Sequence, residues 1–485
     1  MAAQLSCDIA IVGAGLAGLV AAVRASELGL TAIVLEKGDD ELYLCNSRYT
    51  GGFFHVAMHD IRSDAARLLG VLRAATRDEG PNPQAEALAA NAGRALRWVQ
   101  AQGVRIIKVG PEGYKSAVLA PPGLRRTGLH WRGRGGDATL RTLAQRLAER
   151  GGRLVRGARA VGLVMDAGRC IGVDVEGAIT GPLHARAVVV ADGGFQADLD
   201  RLRREVSPDP GLLLQRGAAT GTGDGARMAE AAGAKLVGLG AFYGHVQHRD
   251  ALTTPDLWPY PVLDRIAASG VLVDRSGQRF CDEGLGGVYQ ANAIARLADP
   301  ASAAVIFDEA IWEGPGRDFL LPANPNLLKA GGRIIEAASL DELARLLDLD
   351  PAGLRQTVEV YNAACRRGDT MHLSPPRTVD AYAALPIAGP RLMGVPVCAG
   401  ITYTMGGIAI DGDARVLDRA GAAIPGLFAA GSTTGGLEGG AHAAYTGGLS
   451  KALVFGLLAA EAAAADTQTV RAPVRPPVRP PGARS

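Results

Sequence analysis

Three glycines near the start of the chain have the spacing of a nucleotide cradle. Gly13, Gly15 and Gly18 form G-x-G-x-x-G in IAIVGAGLAG, directly after the apolar run 8–12 and at the start of a helical pattern over 16–28. In such a turn Gly13 makes the bend, and Gly15, with Ala14 beside it, lets backbone N–H groups reach a pyrophosphate at the helix N-terminus. Gly18 then lets the helix lie on the strand. A second apolar run, 31–35, ends in Glu36 and Lys37. Glu36 lies 18 residues after Gly18, where a carboxylate can accept both hydroxyls of an adenosine ribose. An acid there opposes a 2′-phosphate, so FAD or NAD is expected rather than NADP. Only one such fingerprint follows a strand, and a flavoprotein with a dedicated nicotinamide domain would usually carry a second.

These glycines need a βαβ unit to hold them, and the surrounding pattern supplies one, with Gly29 as the helix stop. The runs 187–191, before Gly193-Gly194, and 427–430, before Gly431, read as further strands of the same parallel sheet. Between 153 and 185, β-branched runs broken by Asp166-Ala167-Gly168 and Gly177 predict an antiparallel meander. From 241 to 375 the pattern changes to short mixed elements with Pro-rich connections. The expected fold is therefore α/β: a Rossmann-type dinucleotide domain formed by 1–240 and 376–466, with an inserted α+β cap over 241–375. Residues 467–485, rich in Pro and Arg, read as an extended solvated tail. No repeat of 20–50 residues argues for a solenoid.

Composition removes several function classes. In 485 residues the formal charge is only +2, which gives no electrostatic case for nucleic acid. The six cysteines (Cys7, Cys45, Cys170, Cys281, Cys365 and Cys398) show no metal-ligand spacing and fit a reducing compartment, so no metal is expected. No basic leader or cleavage site precedes the first strand, and the most apolar late run, 452–460, is shorter than the ~20 residues that span a bilayer. A cytoplasmic protein with no membrane span is the expectation. Glycine, with 65 copies, is about twice its usual ~7% share, so much of the backbone must turn tightly or approach something closely.

Further segments follow in a fixed order: NSRYTGG (46–52), GGDATLRTLAQRLAERGG from Gly135, ARAVVVADGGF from Ala185, TGDG (222–225), GQRFCDE (277–283), YTMGG (403–407) and PGLFAAGSTTGG from Pro425. Together with the fingerprint this series resembles the FAD-dependent fumarate reductase and succinate dehydrogenase flavoprotein superfamily, including its 3-ketosteroid dehydrogenase branch, over about 7–465. The resemblance implies FAD in a two-part flavin domain under a mobile cap. It places Asn46, Ser47, Thr50, Gly51, Gly52, Asp192, Gly193, Asp224, Gly431, Ser432, Gly447 and Gly448 at the cofactor, alongside Gly13, Ala14, Gly15, Gly18, Glu36 and Lys37. Glycine pairs such as 51–52 and 447–448 suit this role, since their backbone amides can approach a flat flavin ring. The stretch before Gly51 contains no histidine, so the FAD is expected to be noncovalent; His55 comes after the pair and reads as packing.

The chain departs from the fumarate reductase pattern at the substrate. The carboxylate-binding His just before T-M-G-G is Tyr403, and the Arg two residues before the late glycine pair is Tyr445. The proton-donor Arg four residues after the Glu of R-F-x-x-E is Gly287. A buried dicarboxylate would lose its countercharges there. Tyrosines are what the resemblance to ketosteroid-type desaturases implies. Tyr445, with the Leu449 N–H, would polarise a ketone, and Tyr289, six residues after Glu283, or Tyr403 would serve as the other catalytic tyrosine. Arg132 and Arg134 read as a solvated basic turn, though they or Arg48 could substitute for the missing cations. The expected activity is a desaturase that introduces a C=C bond next to the ketone of a cyclic substrate, steroid-like or a small oxocyclohexane. Its electron acceptor would be a quinone, dioxygen or a carrier protein. Two alternatives remain: a dicarboxylate or tricarboxylate oxidoreductase acting on a carboxylic acid, and a non-catalytic flavin electron-transfer subunit.

Overall fold

The computed structural model describes residues 6–77, 80–123 and 127–471, with side chains through Thr467. The opening βαβ unit is strand Ser6–Val12, helix Leu16–Glu27 and strand Ala32–Glu36, the two strands pairing in parallel from Ile9↔Ala32 to Val12↔Leu35. These strands are apolar runs rather than alternating ones because both sheet faces are covered: Ile9, Ala10, Ile11 and Val34 have no exposure. Gly29, at φ +81°, ends the helix as expected.

The main sheet runs Arg415–Leu417, Ala423–Ala429, Gly181–Val190, Ser6–Val12, Ala32–Glu36, Arg153–Arg156. It takes in both later runs that the sequence marks as strands. The meander is Ala158–Asp166, Arg169–Gly177 and the first part of Gly181–Val190, paired antiparallel. Arg153–Arg156 does not belong to it and pairs in parallel with Ala32–Glu36. The reason is topological: the preceding helix Gly135–Glu149 is a crossover that returns the chain to a parallel neighbour, and Gly157, at φ +67°, then turns it away.

Helix Gly448–Arg471 is buried against the first helix; a Cβ on Gly456 would lie 2.6 Å from the Ala17 carbonyl oxygen. Its stretch Gly448–Thr467 is long and apolar enough to cross a membrane, more so than 452–460 alone suggests. Leu453, Val454, Phe455, Ala459 and Ala463 instead have no exposure and lie in the protein core. The helix covers 467–471 of the expected tail, and the remainder, 472–485, lies outside the described residues.

The second unit is organised on one long strand, Leu392–Thr404, which pairs with Leu214–Gln215, Phe242–His248, Ala304–Asp308 and Ile335–Ala337; Val271–Val273 adds beyond Ala304–Asp308. Its apolar core is separate from the first and draws on Phe195 and Leu202 at one end and Val397 and Ile401 at the other. The expected limits 241 and 375 therefore fall inside this unit, because its central strand runs on to the dinucleotide domain. At that junction the Phe195 N–H donates to Thr404 Oγ1 at 3.0 Å.

Candidate functional site

A cleft at the carboxyl ends of the central strands is lined by Gly13, Ala14, Gly15, Glu36, Lys37, Asn46, Ser47, Asp192, Gly193, Asp224, Gly431 and Ser432. Gly13 sits at φ +96°, and a Cβ there would lie 2.7 Å from the Ala191 carbonyl oxygen. Gly18 is outside the cleft and packs as its spacing implies: a Cβ would come within 2.0 Å of the Gly13 carbonyl oxygen. The helix that follows has no cap from its own Ncap residue, Gly15, so Ser47 Oγ accepts the Leu16 N–H at 2.9 Å. Glu36 accepts from the amides of Ala14 and Gly38 at 3.0 and 2.8 Å, and burial raises its pKa.

Asp192, like Gln196, is incompletely satisfied in the cleft. Its Oδ2 accepts the Gly225 N–H at 2.7 Å, while Oδ1 is buried with no partner among the described residues. Burial pushes this carboxyl up to about 6. An orphaned acceptor on a cleft wall is where a ligand hydroxyl would bind. With the glycine turn and the open first turn of the helix, it makes the cleft a good fit for a dinucleotide. Lys37 Nζ is held by Thr222 and Asp224 at 2.8 and 3.1 Å, and Arg159, also on the wall, bonds Asp224 at 3.2 Å. Asn46 spends its amide on structure, donating to the Thr402 carbonyl at 2.9 Å and accepting the Ala218 N–H at 2.6 Å. It thus ties the cleft to the long strand of the second unit.

Beyond Asn46 lie the two glycine pairs. Thr50 Oγ1 accepts the Gly52 N–H at 3.1 Å, and the residue beside Gly52, Gly51, faces the Phe53 ring. Gly447 is at φ +117°, and its Cβ would lie 2.3 Å from the His55 carbonyl oxygen; a Cβ on Gly448 would lie 2.9 Å from the Tyr403 hydroxyl. Gly447 must be glycine for the backbone to approach His55, and Gly448 leaves room for the Tyr403 hydroxyl.

Tyr403 and Tyr445 come together here, joined by Tyr243, which sequence reasoning missed. The Tyr243 and Tyr445 rings stack at 4.0 Å and 20°, and the Tyr243 and Tyr403 rings lie 5.4 Å apart. His55 packs edge-on to Tyr445 at 5.4 Å. It is buried, accepts the Met58 N–H on Nδ1, and is held neutral by burial, its pKa lowered to about 4. Tyr403 donates to the Glu438 carboxylate, which also accepts from Thr446 N–H at 3.0 Å and pairs with the buried Lys451 at 3.4 Å. Burial raises the hydroxyl pKa values of Tyr403 and Tyr445 well above the ordinary range, so both remain neutral donors. Leu449 is the second residue of helix Gly448–Arg471, whose Lys451 N–H reaches back to the Gly447 carbonyl. The Leu449 N–H therefore belongs to the first turn, where amides lack helical acceptors.

Tyr289 is not part of this group. It packs on the second core, and its neighbour Val288 is the residue that touches the tyrosine cluster. Arg48 is also committed elsewhere, buried in an ion pair with Asp137.

A polar chain leads from the cluster instead. His245 Nε2 lies 3.1 Å from the Tyr243 hydroxyl, and His245 Nδ1 lies 2.5 Å from Asp264 Oδ2. Asp264 Oδ1 accepts the Val246 N–H at 2.9 Å. A Cβ on Gly287 would lie 2.0 Å from Asp264 Cγ. The Asp264 carboxylate therefore occupies the space that a side chain at 287 would need. The alternation in FYGHVQH carries Tyr243 and His245 to one strand face, a signal available from sequence; Asp264 has no local signal.

A sequence profile for the family described as FAD binding domain matches residues 8–448. Among curated proteins, the fumarate reductase (cytochrome) of Shewanella frigidimarina is 26% identical over 94% of this chain and 77% of its own length. The 4-oxocyclohexanecarboxylate 2-dehydrogenase of Sinomonas cyclohexanicum is 31% identical over 54% of this chain and 50% of its own length. Among solved structures, the 3-ketosteroid Δ1-dehydrogenase of Sterolibacterium denitrificans, in complex with 1,4-androstadiene-3,17-dione, superposes with a TM-score of 0.71 at 22% identity, covering 95% of this chain and 99% of that one. With the cleft, the fold and the matched span in agreement, the chain belongs to the FAD binding domain family and is an FAD-dependent oxidoreductase.

Proposed function

We propose that this oxidoreductase introduces a C=C bond next to the ketone of a cyclic substrate. One observation carries the reading: where the resemblance expects three cations, the chain has Tyr403, Tyr445 and Gly287, and the two tyrosines lie in a buried ring cluster. Such a cluster can hydrogen-bond a carbonyl, but its tyrosines supply no countercharge to a pair of carboxylates, and each carboxylate left unpaired costs several kcal/mol. The relative acting on 4-oxocyclohexanecarboxylate and the ketosteroid dehydrogenase fold support the same reading.

The fingerprint glycines, Glu36 and Asp192 would hold FAD in the cleft, and the bound flavin would supply the acceptor for a hydride from the substrate β carbon. The protein's own groups handle the proton. Tyr445 and the Leu449 N–H donate to the ketone oxygen and acidify the adjacent C–H. Tyr243, rather than Tyr289, is the general base. As it takes the α proton, its own phenolic proton passes to His245 Nε2, and Asp264 stabilises the resulting imidazolium through Nδ1. The substrate loses one proton and one hydride and becomes the enone. Tyr403, tied to Glu438, holds the cluster in place.

Anaerobic bleaching of the flavin by a panel of cyclic ketones and dicarboxylates tests the reading. Bleaching by ketones alone is expected. Bleaching by succinate or tricarballylate, with no response to ketones, would assign the dicarboxylate alternative.

A further inference from the structure

One buried cation in this region has no role yet. Arg216, which follows strand Leu214–Gln215, is 5% exposed. Its backbone N–H is fixed to the Ile401 carbonyl at 2.8 Å. Its guanidinium donates through Nη1 to Thr402 Oγ1 at 2.6 Å and through Nε to the Pro259 carbonyl at 3.4 Å, with the Tyr260 ring 5.4 Å away. Nη2 makes no hydrogen bond, and no carboxylate pairs with it, among the described residues.

Other buried arginines are treated differently. Arg48 pairs with Asp137 and Arg279 with Glu283, while Arg377 gives its two terminal nitrogens to carbonyls of Thr378, Tyr382, Ala268 and Ala383. Arg216 keeps a donor edge that no protein group uses and a charge that no carboxylate offsets, among the described residues, the arrangement that an anionic ligand group would complete.

The backbone around it keeps the position open toward the tyrosine cluster. A Cβ on Gly400 would lie 2.3 Å from Arg216 Cδ, so only glycine there lets the side chain cross the sheet. Gly400 pairs directly with His245, and the register shift between Tyr243 and Gly244 brings Tyr403 opposite Tyr243. Arg216 therefore crosses the face that carries His245 and Tyr243, and its charge acts on both.

We infer that Arg216 is a carboxylate anchor, and that the substrate is a cyclic ketone bearing a single carboxylate. The inference deepens the ketone reading and rests on it for the reaction. A planar fork with a free edge suits one carboxylate. One cation at the site also separates a monoanionic ketone from the dianions that the rest of the cluster cannot neutralise.

The test compares 4-oxocyclohexanecarboxylate with its methyl ester as reductants of the enzyme-bound flavin, and follows binding of cyclohexanecarboxylate by its perturbation of the flavin spectrum. In the wild type the acid should half-saturate about 100-fold below the ester, the scale of a charge-assisted hydrogen-bonded pair. Arg216→Met should abolish that gap by weakening only the acid and cyclohexanecarboxylate, with FAD content unchanged. Arg216→Lys should restore part of it. A gap that survives in Arg216→Met overturns the inference. So does equal weakening of acid and ester, or loss of FAD, either of which would make Arg216 a structural or cofactor residue. If neither ketone bleaches the flavin while cyclohexanecarboxylate binding still depends on Arg216, the ketone reading fails and the anion site stands.

Discussion

Replacing Tyr243 with Phe removes one oxygen atom and leaves the ring that stacks on Tyr445 at 4.0 Å. The lost hydroxyl lies 3.1 Å from His245 Nε2, so the substitution disconnects the His245–Asp264 pair from the substrate. A positioned general base is worth about 10²- to 10⁴-fold, or roughly 3 to 5 kcal/mol of barrier. The unpaired His245 nitrogen costs about 1 to 3 kcal/mol of stability. Stopped-flow anaerobic reduction by a saturating cyclic ketone should therefore slow by at least ~10²-fold while FAD content and the visible spectrum stay those of the wild type. Exchange of the substrate α hydrogen in heavy water should slow in parallel, because both depend on the same proton transfer. Flavin reduction within a few-fold of the wild-type rate would refute the assignment of Tyr243 as base, and with it the role given to His245 and Asp264.

Other substitutions separate the remaining roles. Tyr445→Phe should keep fold and FAD yet lose ~10²- to 10³-fold in ketone turnover, the usual cost of one oxyanion donor; a change in melting temperature alone would make it a packing residue. Glu36→Ala should lower FAD retention with little change in the chemistry of the loaded fraction, and acid should release the wild-type flavin as free FAD; flavin that stays on the denatured chain contradicts the noncovalent site. Burial lowers the His55 pKa from 6.5 to about 4, so the stability this group contributes is present above pH 6.5 and is lost as pH falls toward 4, by roughly 3 kcal/mol. Melting temperatures across that window should fall in the wild type and flatten in His55→Gln; identical slopes would contradict its burial as the neutral form.

The part of this molecule governed by local geometry was legible in the chain. Gly13, at φ +96°, and Gly18, against the Gly13 carbonyl, need glycine for reasons that act within one turn, while the close approach of Ala191 to Gly13 comes from a neighbouring strand. The apolar runs at 187–191 and 427–430 form central strands because they are buried on both faces. Arg153–Arg156 joins the parallel sheet and not the meander, and its four residues carry no mark distinguishing the two; the preceding crossover helix decides it. The catalytic surroundings were harder still. Tyr243 and His245 share a strand face by alternation, but Asp264 joins them only because the absent side chain at Gly287 leaves room for its carboxylate. Tyr289 follows a motif that aligns in sequence, yet its side chain turns to the second core and leaves Val288 facing the cluster.

The most direct measurement of the central claim is product analysis of a single anaerobic turnover. Enzyme carrying one FAD per chain is mixed with a stoichiometric amount of a 4-substituted cyclohexanone, and the bleached flavin is counted against product identified by ultraviolet absorbance and mass. One α,β-unsaturated ketone, two mass units lighter than the substrate, is expected for each flavin reduced. Absence of enone, with fumarate appearing when succinate is supplied instead, would contradict the claim.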